Sequence, residues 1–290
     1  MAAEDKHTCY EGDSVQSFQF YLEKSGEHEA ILQAVGKILP ADFKRMAEGK
    51  SSLDVLGVGS GGGELDTQML NLLQSTCPGV SLSTDIVEGS SELVDCFKAL
   101  VKKTPSVQNV PFTWHVVHSE EYVKQGKAKA DIKKFDFIHM IQMIYYVNDV
   151  EDTLKFYQSA LKPNGRIMII IEAENGGWDT LWNTFKKDLW TGAIQEYRSS
   201  RDVVASLKKL GMKFQEHDIP NSFDITECFD PTNETGRRLL NFMTAKDDFQ
   251  NSFTPELRAE MLDVLRERCS TKKDGKIFFK SDLKMILIDA

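Results

Sequence analysis

The chain has 290 residues, of which 41% are hydrophobic, 10% aromatic and 27% charged, enough for a sizeable core and without disordered or fibrous bias. A formal net charge of −9 argues against a nucleic-acid partner, whose phosphates call for clustered Lys and Arg, and favours a small or cationic ligand. The five cysteines Cys9, Cys77, Cys96, Cys228 and Cys269 form no CxxC pair, residues 1–10 lack the apolar core of a signal peptide, and no apolar run reaches membrane-span length; a soluble, cytoplasmic protein is expected.

Val15, Phe18, Tyr21 and Leu22, then Ile31, Leu32, Val35 and Leu39, fall at helical spacing. Two helices are predicted over residues 12–39, parted at Ser25-Gly26-Glu27-His28-Glu29 and ended by Pro40. Short runs at 53–58, 80–87, 110–117, 135–140 and 166–171, rich in β-branched residues, read as strands. Amphipathic stretches around Leu65 to Leu73, Leu93 to Val101 and Val150 to Leu161 read as helices between them. Such alternation implies parallel pairing with crossover helices, an α/β fold with a doubly wound, mostly parallel, Rossmann-like sheet. Further on, 203–210 reads as a helix, 212–219 and 284–288 as strands, and 234–246 and 255–268 as helices of a polar insertion. One domain over 1–290 is expected, with an N-terminal helical cap (1–48), a cofactor-binding core (49–172) and substrate-pocket elements with the remaining strands (173–290).

Leu53-Asp54-Val55-Leu56-Gly57-Val58-Gly59-Ser60-Gly61-Gly62-Gly63-Glu64 is a strand, a glycine turn and a helix start, which lets a nucleotide-like cofactor approach the backbone. Gly57, Gly59 and Gly62 also satisfy GxGxxG, so this motif alone leaves NAD and S-adenosylmethionine open. Glu88, ending the second strand, can take two ribose hydroxyls, as either cofactor requires. Glu64 and Asp66 put negative charge near the helix start, which suits a sulfonium better than a pyrophosphate. Leu161-Lys162-Pro163-Asn164-Gly165 resembles the turn before the fifth strand of class I methyltransferases, which adds to the case for S-adenosyl-L-methionine.

Phe135-Asp136-Phe137-Ile138-His139-Met140-Ile141-Gln142-Met143-Ile144-Tyr145-Tyr146-Val147 resembles the fourth strand and following loop of the histamine N-methyltransferase family. Gly177-Trp178-Asp179-Thr180-Leu181-Trp182 and Ser25-Gly26-Glu27-His28-Glu29 are similar to that family too, and the likeness runs from about Val15 to Ala290. The resemblance implies donor-binding positions at Gly59, Glu88, Ser119 and Ile141, joined by Gly61 of the turn, and a substrate-binding acid and amide at Glu27 and Gln142, which are the catalytic candidates. It implies an aromatic substrate pocket from Phe18, Tyr145, Tyr146, Trp178, Trp182 and Phe242. Ser281 stands where the family has a substrate-contacting asparagine, Leu93 where it has a donor-side glutamine and Ser14 where it has a pocket tyrosine; Ser14 and Ser281 suggest a wider pocket mouth.

The implied reaction is methylation of an imidazole ring nitrogen. Such a ring keeps a free lone pair near neutral pH, and a carboxylate at its far N–H stabilises the positive charge that grows during attack. Histamine is the first expected substrate, and carnosine, a larger imidazole compound methylated by relatives of the family, is the alternative. A non-catalytic binding homologue and an NAD-dependent oxidoreductase are the remaining readings. The enzyme is expected to be a monomer without a nucleic-acid or membrane partner. No metal is expected, because His115 and His118, three apart on the predicted third strand, would point to opposite faces. Gly176-Gly177 before Trp178 is read as permitting lid movement.

Overall fold

The computed structural model describes residues 13–129, 132–189 and 196–290; Cys9 and the polar first ten residues lie outside these. In chain order α1 (Asp13–Ser25) and α2 (Glu27–Ala47) precede β1 (Ser52–Val58), α3 (Glu64–Thr76), β2 (Ser81–Val87), α4 (Ser91–Lys103) and β3 (Phe112–His115). Then come α5 (Ser119–Lys127), β4 (Phe135–Ile141), a 3-10 turn over Ile144–Tyr146, α6 (Val150–Ser159), β5 (Leu161–Glu172) and α7 (Gly177–Thr184). The remainder holds α8 (Ser200–Leu210), β6 (Phe214–Ile219), β7 (Ser222–Asp224), α9 (Glu234–Thr244), α10 (Phe249–Ser252), α11 (Pro255–Glu267), β8 (Ser270–Lys273), β9 (Lys276–Lys280) and β10 (Leu283–Asp289). The chain divides into two compact units: the described residues of Met1–Ala30 and Glu172–Arg201 with Asp218–Leu283, and Ile31–Ile171 with Asp202–His217 and Lys284–Ala290.

The second unit is built on a seven-stranded sheet in the order β3-β2-β1-β4-β5-β10-β6. β1 pairs in parallel with β2 and β4, as do β2 with β3 and β4 with β5, so the doubly wound, mostly parallel sheet expected from the alternation is present. Every residue of β4 but Ile141 is buried, which is why this strand reads as a continuous apolar run and not as an alternating one. Strand order reverses between β1 and β4, and ligands of such sheets bind beyond the carboxyl ends of the strands at this switch. Near the amino ends of β1, β4 and β5, Lys162 lies 2.5 Å from Asp54 and 2.9 Å from Asp136, while further along β2 Lys133 and His115 bracket Asp85 at 2.6 and 2.9 Å.

The first unit holds a small antiparallel sheet in the order β7-β9-β8. Its core gathers Trp178, Leu181, Phe223, Met243, Phe249, Leu265 and Phe279, and α1 packs against α9 and β7. Sequence patterning did not predict this sheet, because β8 is almost wholly exposed and offers no apolar alternation. A signal was present: Asp274-Gly275, both at positive φ, joins β8 to β9 as a two-residue hairpin turn.

Two further expectations are corrected. Helix α2 passes through Pro40 and ends at Ala47. A proline inside a helix costs about 3 kcal/mol, but continuing the helix buries Phe43 and Met46, each worth about 1.5–3 kcal/mol. His118 is not on a strand, since β3 stops at His115 and His118 caps the start of α5. Gly177 sits in close packing, since a Cβ there would lie 2.8 Å from the carbonyl oxygens of Cys269 and Lys280.

Candidate active site

The glycine turn leaves β1 with Gly59, Gly61 and Gly63 all at positive φ, 67°, 56° and 82°, a conformation that side chains with a Cβ adopt at a cost. Each glycine answers to a different neighbour. At Gly59 a Cβ would strike Met143 at 2.7 Å, and at Gly63 it would enter the Phe97 ring at 2.1 Å. At Gly61 it would meet nothing within 4 Å, so the backbone there borders open space. The Gly61 N–H donates to Glu88 Oε2 at 2.9 Å, and the Ser90 N–H donates to Glu88 Oε1 at 2.9 Å.

Glu88 is buried, with the Gly61 and Ser90 bonds on different oxygens, and because a carboxylate has about four acceptor sites it keeps capacity for a further donor. Burial raises its pKa; hydrogen bonds from the Ser90, Gly61 and Gly89 backbone oppose this in part, and the charge of Asp66 adds to it. Open space beside a glycine backbone and a paired acceptor at the strand end are what a ribose-bearing donor needs. The residues present fit S-adenosylmethionine.

Asp66 does something the sequence did not suggest. It is buried, accepts from Ser60 Oγ at 2.9 Å and lies 3.1 Å from His139 Nε2, so its charge ties the turn to α3 and β4. Gly57 makes room for this arrangement, since a Cβ there would fall 2.5 Å from Asp66 and 2.9 Å from His139.

Beyond β4, Gln142 holds a positive φ of 51°, uncommon for a residue with a side chain, while its N–H bonds the Ile170 carbonyl at 2.8 Å. Its neighbour Met143 is the side chain against Gly59, so the loop after β4 and the glycine turn are packed together. Ile141 pairs with Ile170 at the end of the sheet. Tyr145 and Tyr146 follow in the 3-10 turn, half-buried, with ring centroids 4.8 Å apart. Ser119 opens α5 and its Oγ is 3.0 Å from the Tyr157 hydroxyl. Leu93 is buried on α4, its N–H bonded to the capping Ser90 Oγ at 3.2 Å.

In the first unit the predicted acid is interior. Gly26 at φ 63° ends α1 and starts α2, whose first residue is Glu27, only 3% exposed. The Tyr21 hydroxyl donates to Glu27 Oε2 at 2.9 Å. Burial first, then the charges of Glu27 and Glu172, hold the Tyr21 pKa far above its ordinary value, so the phenol stays a donor. The start of a helix favours negative charge, which suits Glu27 where it stands.

Aromatic rings pack around Tyr21. Phe242 stacks on Tyr21 at 4.3 Å and on Phe18 at 6.4 Å, and Trp178 meets Tyr21 edge-on at 5.7 Å and Phe279 at 5.2 Å. Trp182 has a different commitment: its indole N–H donates to the Met243 carbonyl at 3.1 Å and its ring stacks on Tyr197 at 5.7 Å. Ser281 is 1% exposed, its N–H bonds to Asn221, and its Oγ meets no hydrogen-bond partner. That corrects the notion of Ser281 at a pocket mouth; Ser14 is the exposed one of the two.

The structure thus groups Phe18, Glu27, Trp178 and Phe242 with Tyr21, and separately groups Gly59, Gly61, Glu88 and the Gln142 loop. Tyr21, Phe223 and Phe279 were not named as site residues from sequence. Tyr21 was legible only as one apolar position of an amphipathic helix. Among the described residues no group of three or more His, Cys, Asp or Glu could hold a metal ion, and no helix is long and apolar enough to cross a membrane.

A family model described as a methyltransferase domain matches residues 29–227. Histamine N-methyltransferase A of Xenopus laevis is 40% identical over 277 residues, covering 95% of this chain and 94% of the relative. Carnosine N-methyltransferase 2 of Gallus gallus is 38% identical over 277 residues, covering 95% of this chain and 86% of the relative. Among solved structures, the plantazolicin methyltransferase BpumL in complex with SAH is similar in fold, with a TM-score of 0.51, 13% identity, and 96% of this chain and 91% of that chain covered.

Proposed function

This chain belongs to the histamine N-methyltransferase family, and from that premise we propose that it methylates a ring nitrogen of a small imidazole amine, histamine first, with S-adenosylmethionine as donor. The observation that carries this reading is a buried carboxylate, Glu27, hydrogen-bonded at 2.9 Å by Tyr21, whose ring packs against Phe242 and Trp178. An acid placed so suits a flat, cation-forming ligand with an N–H to donate.

When bound, S-adenosylmethionine supplies a methyl group on a positively charged sulfur, ready for in-line displacement. Glu88 would accept from the ribose with its remaining acceptor capacity, and the glycine turn, with Ser119 and Ile141, would complete the donor site. Glu27 accepts the N–H of the imidazole nitrogen that does not react. The donor would supply its methyl group to the lone pair of the other nitrogen, with the C–S bonding pair left on sulfur. Positive charge thereby moves onto the ring, where the Glu27 carboxylate holds it more strongly than it held the neutral ring. Phe18, Trp178 and Phe242 offer π faces to this cation, while Trp182 acts as a wall behind them. Gln142, Tyr145 and Tyr146 are assigned to substrate orientation on the family resemblance. Ser281 Oγ, a buried hydroxyl with spare capacity, is assigned to the substrate side.

The second reading, carnosine methylation, is favoured by the Gallus gallus relative and by the small side chain at Ser281. Assays with labelled donor and each substrate separate the two. Faster turnover of histamine supports the first reading, faster turnover of carnosine the second, and turnover of neither contradicts both. The same reading has the enzyme working as a cytosolic monomer on a small solute; the net charge of −9 and the four free cysteines Cys77, Cys96, Cys228 and Cys269 support it.

A further inference from the structure

From Gly59 to Gly63 the turn after β1 has a single side chain, that of Ser60. Glycine loses more conformational freedom on folding than any other residue, so such a stretch holds one shape only where something anchors it. Ser60 is the anchor point. Its carbonyl accepts from the Gly63 N–H at 3.1 Å, its hydroxyl donates to Asp66 Oδ1 at 2.9 Å, and the peptide that follows it presents the Gly61 N–H to Glu88 at 2.9 Å. The partner of that hydroxyl is itself held. Asp66, in the first turn of α3, is 3% exposed, and the equally buried His139 of β4 brings its Nε2 to 3.1 Å from the same Oδ1. A carboxylate only accepts, so the imidazole Nε2 carries the proton of this pair. Gly57, the β1 partner of His139, leaves the space for all three: a Cβ there would lie 2.4 Å from Ser60 Oγ, 2.5 Å from Asp66 Oδ1 and 2.9 Å from His139 Cε1.

Resting on the assignment of Gly61 and Glu88 to the donor, we propose that Asp66, backed by His139, is a positioning residue for S-adenosylmethionine: through the Ser60 hydroxyl it holds the glycine turn in the conformation that joins Gly61 to Glu88. A buried charge is kept in a fold when it is paired and hydrogen-bonded, and Asp66 directs its bonds at the turn and at β4, whereas Glu64 at the same helix start is exposed. Burial is the main cause of the raised Glu88 pKa and the charge of Asp66 adds to it, so the two carboxylates share one field. Without the Ser60 anchor the glycines sample other conformations, and the apparent donor affinity falls by the fraction of time the turn spends in the competent one. Once donor is bound the turn is in place again, so turnover at saturating donor is preserved. The effect reaches the donor through Ser60 and Gly61, without contact between Asp66 and the donor.

The test is a double-mutant cycle on the full chain: parent, S60A, D66N and S60A/D66N, each titrated with S-adenosylhomocysteine by calorimetry, unfolded in denaturant, and assayed for kcat and for the KM of S-adenosylmethionine at saturating histamine. The expected result is that S60A and D66N each weaken S-adenosylhomocysteine by about five- to thirtyfold, in the range of a hydrogen bond to a charged group. Over the same variants kcat at saturating donor stays within about twofold of the parent. The double variant binds within about twofold of D66N, because both changes cut one connection. H139Q, which keeps an N–H donor, stays within about threefold of the parent in affinity, while H139L falls with D66N. Losses that add in the double variant overturn the proposal, and so does lowered stability with donor affinity intact, which is the mark of a merely structural role. H139Q and H139L with equal affinity overturn the part given to His139. S60A changes a half-buried residue of the turn and decides the matter should a variant of the buried pair fail to fold. S60A at the parent affinity while E88Q binds weakly overturns the proposal and leaves the donor-site reading standing. E88Q at the parent affinity removes that reading and this proposal together.

Discussion

The donor site of the second unit and the aromatic cluster of the first solve opposite problems. Around Gly59, Gly61 and Gly63 the chain removes side chains so that backbone can border open space and Phe97 and Met143 can press close. Around Glu27 it does the reverse, burying an acid and giving it a hydrogen bond from Tyr21, whose ring is packed by Trp178 and Phe242. In the proposed assignment the site for the donor's nucleoside is made by local conformation, whereas the site for the imidazole adds to Glu27 and nearby Tyr21 the rings of Trp178 and Phe242, distant in sequence. The two should therefore fail separately, one in donor binding and the other in chemistry.

The largest separation is expected from E27Q. Losing a carboxylate that stabilises developing charge should lower kcat by about two to three orders of magnitude. Calorimetry with S-adenosylhomocysteine should find donor-site affinity unchanged, and a parallel loss of both would erase the contrast between the two regions. Next comes G63A, which forces a Cβ into the Phe97 ring at a backbone φ of 82°. Overpacking and left-handed strain together should cost about 2–4 kcal/mol in a denaturant titration, with donor affinity falling as well.

A pH dependence sharpens the comparison further. Burial raises the Glu88 pKa, so its proton returns at a higher pH than for an ordinary glutamate. A protonated Glu88 has one oxygen acting as donor and can no longer accept two hydroxyls. Donor affinity should accordingly fall as pH is lowered through a value above the ordinary glutamate range, and E88Q should bind weakly at all pH. Asp85 runs the other way: burial pushes its carboxyl up, but His115 and Lys133 together outweigh it and hold the pKa low. Its stabilisation is fully present above the ordinary carboxylate pKa and is lost only as pH falls below it toward the depressed folded value. Between the two ranges the protein should remain folded while donor affinity declines. The smallest effect is expected from W182F, which deletes the indole donor to Met243 and should cost about 1 kcal/mol of stability while leaving the histamine KM near its parent value. A large rise in KM would move Trp182 from the wall to the contact surface.

How much of this was legible in the sequence follows the same division. The strand, glycine turn and Glu88 lie within one βαβ stretch, and local rules sufficed to place them on β1, α3 and β2. The parallel, doubly wound character of the sheet around them also followed from the alternation of short apolar runs and amphipathic helices, while its strand order came from the structure. The aromatic cluster joins residues from α1, α2, α7, α9 and β9, and only a family resemblance named its members in advance. That resemblance did not reach Tyr21, because a tyrosine on an apolar helix face reads as core until its hydroxyl is seen against an acid. Nor did the pattern around residues 270–280 predict a sheet, since its strands carry lysines outward and the hairpin signal at Asp274-Gly275 was outweighed by their polarity. Pro40 misled for a related reason: local propensity ended the helix, and burial of Phe43 and Met46 continued it.

The most direct measurement is to identify which atom receives the methyl group. Incubation of the full chain with histamine and S-adenosylmethionine labelled with carbon-13 in its methyl group, followed by NMR of the product, should give one labelled methyl on an imidazole ring nitrogen for each donor consumed. A methyl on the aliphatic amine, or donor consumed without transfer to histamine or carnosine, would contradict the account.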